Sequence, residues 1–182
     1  MLQITSAVEG KLTGDWADRP IVVVGLTMQG CQPCDDRVDG AFAVLKESLP
    51  STATFTKLYT DDNVADAQTK FTDVITANPG AVFIVAGLDD EVAGGAFNAI
   101  RAAGLEESAA VASIGGDVLA VSNISKKSPA YVASVDAIPY CEGWNWVEAA
   151  LALSNGDEFT PYKFRGVITP ENVDDYLWRL EE

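Results

Sequence analysis

Two adjacent carboxylates, Asp89 and Asp90, stand between a short apolar run and a helical pattern. The run Ala81–Ala86 is rich in β-branched residues, which is typical of a strand buried on both faces. A carboxylate here accepts hydrogen bonds from the free N–H groups of the first helical turn, so either residue can cap the helix. In an open parallel α/β sheet, ligands bind at this crest. The sequence therefore places its first candidate binding residues here.

A cysteine pair offers a different chemistry. Cys31 and Cys34 lie between a strand pattern and a helix pattern, as in a thioredoxin-like oxidoreductase, where a helix N-terminus stabilises a thiolate. Asp35, Asp36 and Asp39 surround the pair with negative charge, which disfavours a thiolate. No threonine-proline or similar pair follows a strand where it would face the sulfurs. A disulfide, two free thiols and a redox enzyme stay open, and export would favour the disulfide.

Composition excludes several function classes. The 182 residues contain no histidine, which removes His-based acid–base catalysis, Ser/Cys–His nucleophiles and most zinc sites. Twelve Lys and Arg against 27 Asp and Glu give a net charge of −15, which repels phosphate backbones, so no nucleic-acid partner is expected. Three Cys without His make a weak metal site, and we expect neither metal nor cofactor. The start, MLQITSAVEGK, lacks the pattern of a signal peptide, which fits a cytosolic protein or a chain without its leader.

The strand and helix patterns alternate along the chain. The expected strands span residues 21–26, 53–59, 81–86, 109–114 and 131–135, with a strand-like segment at 162–167. The expected helices span 35–47, 61–77, 90–103, 118–123 and 139–153, with a helical entry segment and a last short helix starting at Thr169-Pro170. This order predicts a single α/β unit, Rossmann-like, with a parallel sheet, helices on both faces and right-handed crossovers.

Six short segments, in order along the chain, resemble those of type I periplasmic binding proteins, the sugar-binding family of ABC importers that also includes the effector domains of Lac-repressor-like regulators. Each segment alone is weak, but their order and spacing together are specific. The segments are Arg37-Val-Asp-Gly40, Thr76-Ala-Asn-Pro79, Asp89-Asp90-Glu-Val-Ala93-Gly-Gly95-Ala, Gly115-Gly-Asp117, Ser134-Val-Asp-Ala-Ile-Pro139 with Gly143, and Ile168-Thr-Pro-Glu-Asn-Val173.

The resemblance implies a binder that is not an enzyme. Members of the family have two α/β lobes that close by a hinge on a small polar ligand, usually a sugar. The implied partners are that ligand and an ABC transporter permease, and the implied location is periplasmic or extracellular and membrane-associated. The alternatives are a thioredoxin-like dithiol protein and the effector domain of a regulator, although a regulator needs a helix-turn-helix that this sequence lacks.

The resemblance also implies which residues bind. Arg37 lies where the family fixes sugar hydroxyls, and a planar guanidinium with five donors suits a polyol. Asp89 stands where the family has a ligand-binding Asn, and Asp117 matches a hydroxyl-accepting Asp. Asp62 falls near the family's aromatic position, and Ala137 falls on its hinge Gln. These departures predict an unusual ligand or a degenerate site. A site lined by Asp62, Asp89 and Asp117 could instead favour a cation or an amine.

The chain resembles only the C-terminal portion of the family, so we expect residues 1–182 to be a single α/β unit equivalent to one lobe. The segment 138–166 would then pack on the other lobe in a full-length relative. Trp144 and Trp146 make that surface large and apolar, which predicts a homodimer or an aggregation tendency.

Overall fold

The computed structural model describes residues 2–137, 139–160 and 166–181. The six strands are β1 (Ile21–Met28), β2 (Thr54–Thr60), β3 (Val82–Gly87), β4 (Ala109–Gly115), β5 (Tyr131–Asp136) and β6 (Gly166–Ile168). The six α-helices are α1 (Leu2–Leu12), α2 (Gln32–Ser48), α3 (Val64–Ala77), α4 (Asp90–Ala102), α5 (Val118–Ser125) and α6 (Pro139–Asn155). Two 3₁₀ helices complete the described elements, Glu106–Ser108 and Val173–Leu180.

The six strands form one sheet in the order β2-β1-β3-β4-β5-β6. Strands β1 to β5 are parallel, and β6 runs antiparallel to β5. The chain leaves β1 toward β2 and then returns past β1 to β3. The direction of winding therefore reverses between β1 and β3, which is the point where open α/β sheets bind ligands at the carboxyl ends of their strands.

Successive residues of the strands face opposite sides of the sheet, and both sides are apolar. Val23 and Ile84 face a core that contains residues of α1 and α2. Val24 and Val85 face a second core that contains residues of α3, α4 and α5. The predicted α/β architecture with helices on both faces is confirmed.

The elements differ from the prediction mainly at their ends. Strand β1 continues to Met28, and Pro33 lies in the first turn of α2, which begins earlier than predicted. Proline is tolerated in that turn because the N–H groups there have no partner within the helix. The last helix is a 3₁₀ helix that begins at Val173, not an α-helix at Thr169. Residues 162–165 of the predicted last strand lie outside the described residues.

Candidate functional site

The four predicted ligand-binding residues all follow strands at the carboxyl edge of the sheet. Arg37 lies on α2 after β1, and Asp62 lies in the connection between β2 and α3. Asp89 is the N-cap of α4 after β3, and Asp117 is the N-cap of α5 after β4. Because these strands are parallel neighbours, their carboxyl ends meet at one edge. We call this group of four side chains the rim.

Arg37 extends from α2 across the reversal point of the sheet. Its Nη1 atom donates to the carbonyl oxygen of Leu88 at 3.0 Å, next to Asp89. The nearby carboxylates that could have paired with it are otherwise engaged, since Asp36 accepts from Gln32 and Asp39 accepts from Lys57. The exposed guanidinium therefore keeps donors that can serve a ligand.

Asp89 and Asp62 form a pair of carboxyl groups at the rim. Asp89 Oδ1 accepts from the Val92 N–H at 3.0 Å, which confirms that a carboxylate caps α4. The pKa of Asp89 is raised to about 7, mainly by burial and also by the neighbouring carboxyl groups of Asp62 and Glu91, against the lowering effect of the Val92 N–H. Asp62 has a left-handed backbone with φ of 56°. Asp89 thus changes its protonation state close to neutral pH.

Replacing Asp89 by asparagine is expected to stabilise the protein above neutral pH. The folded-state pKa is raised, so between about pH 4 and pH 7 the folded state binds more protons than the unfolded state, and the stability contributed by Asp89 falls as pH rises. Asparagine caps a helix as well as aspartate does and carries no charge. Because Asp89 is only partly buried, solvent screens part of this effect, and we expect Asp89→Asn to gain about 1 kcal/mol at pH 8 and nothing near pH 4, measured by urea unfolding.

Asp66→Asn is the control with the opposite sign. The ammonium of Lys70 and the Asp61 N–H hold the pKa of Asp66 below its ordinary value. Its contribution to stability is therefore present at neutral pH and is lost in acid, so its replacement destabilises at pH 8. The interpretation of Asp89 is wrong if the difference between Asp89→Asn and the wild-type protein does not change with pH.

Asp117 is held from two sides. Its Oδ1 atom accepts from the Ala120 N–H at 3.0 Å, and its own N–H donates to Asp90 Oδ2 at 2.9 Å. The first bond caps α5 and the second fixes the preceding loop to the start of α4. The side chain remains partly exposed at the rim.

Asp90, which the sequence offered only as a second capping residue, is the buried centre beneath the rim. Its side chain is 1% exposed. Besides the Asp117 N–H, it accepts from the hydroxyls of Ser113 and, at 2.7 Å, Ser134. Ser113 Oγ also lies 2.9 Å from the hydroxyl of Tyr131. One carboxylate thus joins the ends of β3, β4 and β5.

A second buried pair lies at the end of β5. Asp136 is 2% exposed and accepts from Arg179 Nη1 at 3.2 Å and Nη2 at 3.1 Å. Arg179 Nη1 also donates to the Gly116 carbonyl, beside Asp117. The final 3₁₀ helix is therefore tied to the rim, a contact between residues distant in sequence that the pattern did not predict.

The cysteine pair lies at the start of α2, near Arg37. The structure joins Cys31 and Cys34 by a disulfide with the two Cα atoms 5.3 Å apart. Within residues 2–137, 139–160 and 166–181, no group of three or more His, Cys, Asp or Glu side chains is arranged to hold a metal ion.

The family of the chain follows from its sequence. Residues 10–158 match the model of the periplasmic binding protein domain. The chain belongs to this family, whose members are solute-binding proteins and not enzymes. A comparison with curated proteins gives no match.

Solved structures of solute-binding proteins share the fold. A protein from Actinobacillus succinogenes 130z with bound D-allose has a TM-score of 0.79 and 21% identity, over 96% of this chain and 60% of its own. A protein from Mycobacterium smegmatis with bound glycerol has a TM-score of 0.75 and 22% identity, over 96% and 58%. A 5-methylthioribose transporter protein from Thermotoga lettingae has a TM-score of 0.68 and 27% identity, over 96% and 55%.

The chain thus spans about 60% of the length of the solved relatives that it matches. Its sheet and flanking helices are those of a lobe of such a protein. Among the helices of the described segments, none has the length and apolar character needed to cross a membrane.

Proposed function

We propose that this chain provides one lobe of the solute-binding component of an ABC importer and binds a polyhydroxylated solute at the rim. The observation that carries the proposal is the convergence of Arg37, Asp62, Asp89 and Asp117 at the carboxyl edge, where the sheet reverses direction. The family membership and the sugars and polyols bound to proteins of the same fold support it.

The rim offers both kinds of hydrogen-bonding group that a polyol needs. The guanidinium of Arg37 donates, and the carboxyl oxygens of Asp89 and Asp117 accept from hydroxyl groups. Asp62 supplies a further acceptor beside Asp89. Since no aromatic ring stands in this set, we expect selectivity to come from the pattern of hydroxyl groups and not from stacking.

Arg37→Ala is expected to weaken sugar binding at least tenfold, because a charge-assisted hydrogen bond contributes about 1.5–3 kcal/mol. A thermal-shift screen of aldoses, ketoses, cyclic polyols and amines on the full-length gene product would find the solute. Isothermal titration calorimetry would then compare the affinities of the wild-type protein and the variant.

Arg101→Ala is the matched control, because Arg101 lies in the last turn of α4, at the opposite edge of the sheet. Its affinity is expected to equal that of the wild-type protein. The proposal is wrong if no sugar or polyol raises the melting temperature, or if Arg37→Ala binds the solute as tightly as Arg101→Ala does. A screen in which only amines bind would favour a cationic ligand instead.

The proposal includes delivery of the solute to a permease from the periplasm or from the outer face of the membrane, as the family implies. Co-purification of the protein with a candidate ABC permease expressed in the same cells would test this partner.

A second copy of the chain is the partner that we propose for α6. This helix exposes Trp144 by 63%, Trp146 by 77% and Leu153 by 77%. Large aromatic side chains bury about 150–250 Å² each when covered, so two such helices in contact can hold a dimer. We expect sedimentation equilibrium to give a dimer mass, and Trp146→Lys to give a monomer.

Leu177→Lys is the control for the dimer, because Leu177 is an exposed apolar residue of a different element, the final 3₁₀ helix. It is expected to sediment as the wild-type chain does. A wild-type chain that remains monomeric at every concentration would contradict the dimer.

A further inference from the structure

When the carboxylate of Asp90 is ionised, the donor and the acceptor of each hydrogen bond around it are fixed. An ionised carboxylate has no proton to give, so Ser113 and Ser134 both donate to it. Ser113 can then only accept from the Tyr131 hydroxyl. Burial, and next the charge of Asp90, raise the pKa of Tyr131 well above its ordinary value, so that hydroxyl keeps its proton and donates.

The same carboxylate positions two consecutive backbone N–H groups, those of Gly116 and Asp117. It accepts the Asp117 N–H directly. It also fixes Ser134, whose oxygen accepts the Gly116 N–H at 3.1 Å. Gly115 completes the arrangement, since a Cβ atom there would lie 2.3 Å from Asp90 Oδ2. The conformation of the loop that carries Asp117 therefore depends on the buried carboxylate of Asp90.

We propose that Asp90 is a positioning residue through which pH regulates the rim. The ionised carboxylate holds the loop that carries Asp117 in the conformation that directs Asp117 toward the ligand, and protonation of Asp90 releases this loop. This inference rests on the proposed function for its effect on binding. A protonated carboxyl group has one acceptor fewer and one donor more, so it no longer satisfies two hydroxyls and an N–H together. The loop then loses the bond that places Asp117.

The surroundings of Asp90 set the pH range of this effect. The pKa of Asp90 is raised to about 6, mainly by burial and also by the nearby charge of Asp117, against the lowering effect of the bonds from Ser113, the Asp117 N–H and Ser134. The titratable groups that face it are thus Asp117 on α5 and, through Ser113, Tyr131 on β5. The ionised fraction changes about tenfold between about pH 7 and pH 5, so the affinity for the solute is expected to fall about tenfold.

Amide NMR spectra test the coupling without any ligand. In the wild-type chain, the Asp117 and Gly116 amide protons are expected to titrate together with a midpoint at about pH 6. In Asp90→Asn both inflections disappear. In Ser134→Ala, which keeps Asp90, the Asp117 inflection remains and the Gly116 inflection weakens. The Asp61 amide, which donates to Asp66 at 2.9 Å, is an internal control that titrates at lower pH.

The outcomes separate this inference from the proposed function. An Asp117 amide that does not titrate near pH 6, or that still titrates in Asp90→Asn, overturns the role of Asp90. If Asp90→Asn does not fold, Ser134→Ala provides the test. Equal inflections of the Gly116 amide in Ser134→Ala and in the wild-type chain would also overturn the role of Asp90. The regulation is wrong if D-allose or another sugar from the screen binds equally well at about pH 5 and pH 7. It is also wrong if the change in affinity disappears in Asp89→Asn, because Asp89, with a pKa of about 7, would then be its cause. If the amides titrate as expected and no sugar binds, the proposed function fails while the coupling stands.

Discussion

Gly95→Ala is expected to lower the free energy of unfolding by about 2–3 kcal/mol. Gly95 lies in α4 where it meets the first turn of α3. A Cβ atom at this position would lie 2.5 Å from the carbonyl oxygen of Val64, 2.6 Å from Ala67 Cβ and 2.9 Å from the backbone nitrogen of Gln68. Because two of these three atoms belong to the backbone, no side-chain rotation relieves the overlap, and the two helices must move apart.

The same contact sets the distance between Asp62 and Asp89, which precede α3 and α4. We therefore expect Gly95→Ala to weaken solute binding as well. Gly40→Ala is the control, since nothing lies within 4 Å of a Cβ atom there and the residue is inside α2. Removing that glycine is expected to stabilise the helix by about 0.5–1 kcal/mol. Urea unfolding of the two variants would contradict the close contact if both gained stability.

Arg179→Met is expected to cost about 3–5 kcal/mol, because it removes the guanidinium that donates to both oxygens of the buried Asp136 carboxylate. Asp136 is 2% exposed and the Arg179 side chain 12%, so water replaces the guanidinium poorly. The variant also removes the donor to the Gly116 carbonyl. The final 3₁₀ helix is then expected to detach first, with faster hydrogen exchange at residues 173–180 than elsewhere.

A double-mutant cycle isolates the pair. Asp136→Asn together with Arg179→Met is expected to be more stable than the sum of the single changes predicts, because no unpaired charge remains. Arg101→Ala is the control, since its side chain is 47% exposed and its ion pair with Glu106 spans 3.7 Å. An exposed pair of this kind contributes less than about 1 kcal/mol. If Arg179→Met and Arg101→Ala lose the same free energy of unfolding, burial does not strengthen the Asp136–Arg179 pair.

The sequence predicted the strands well because their apolar runs are short and interrupted by glycine and charged residues. The Asp89 cap followed from the alternation of strands and helices, whereas Arg37 and Asp117 were singled out by the resemblance to the family. Strand β6 was less predictable, since its antiparallel pairing with β5 depends on how the chain returns after α6. No local sequence pattern indicates that this strand runs antiparallel to its neighbour.

Asp90 shows why the centre beneath the rim was not predicted. Two neighbouring carboxylates look alike in sequence, yet at the start of a helix they point in different directions, and only one is buried. A signal existed in Ser113 and Ser134, which interrupt two buried strands and face each other in register. A hydroxyl inside such a strand needs a partner. No comparable signal in the sequence predicted the Asp136–Arg179 pair, whose members lie 43 residues apart.

The most direct test of the account is an amide NMR titration of the 182-residue chain with the sugars and polyols of the screen, at millimolar concentrations that detect weak binding. We predict that one class of polyol shifts the amides beside Arg37, Asp62, Asp89 and Asp117 and leaves the opposite edge of the sheet unchanged. A spectrum that no sugar or polyol perturbs, or shifts confined to residues away from the rim, would contradict the claim that these four side chains form a solute site.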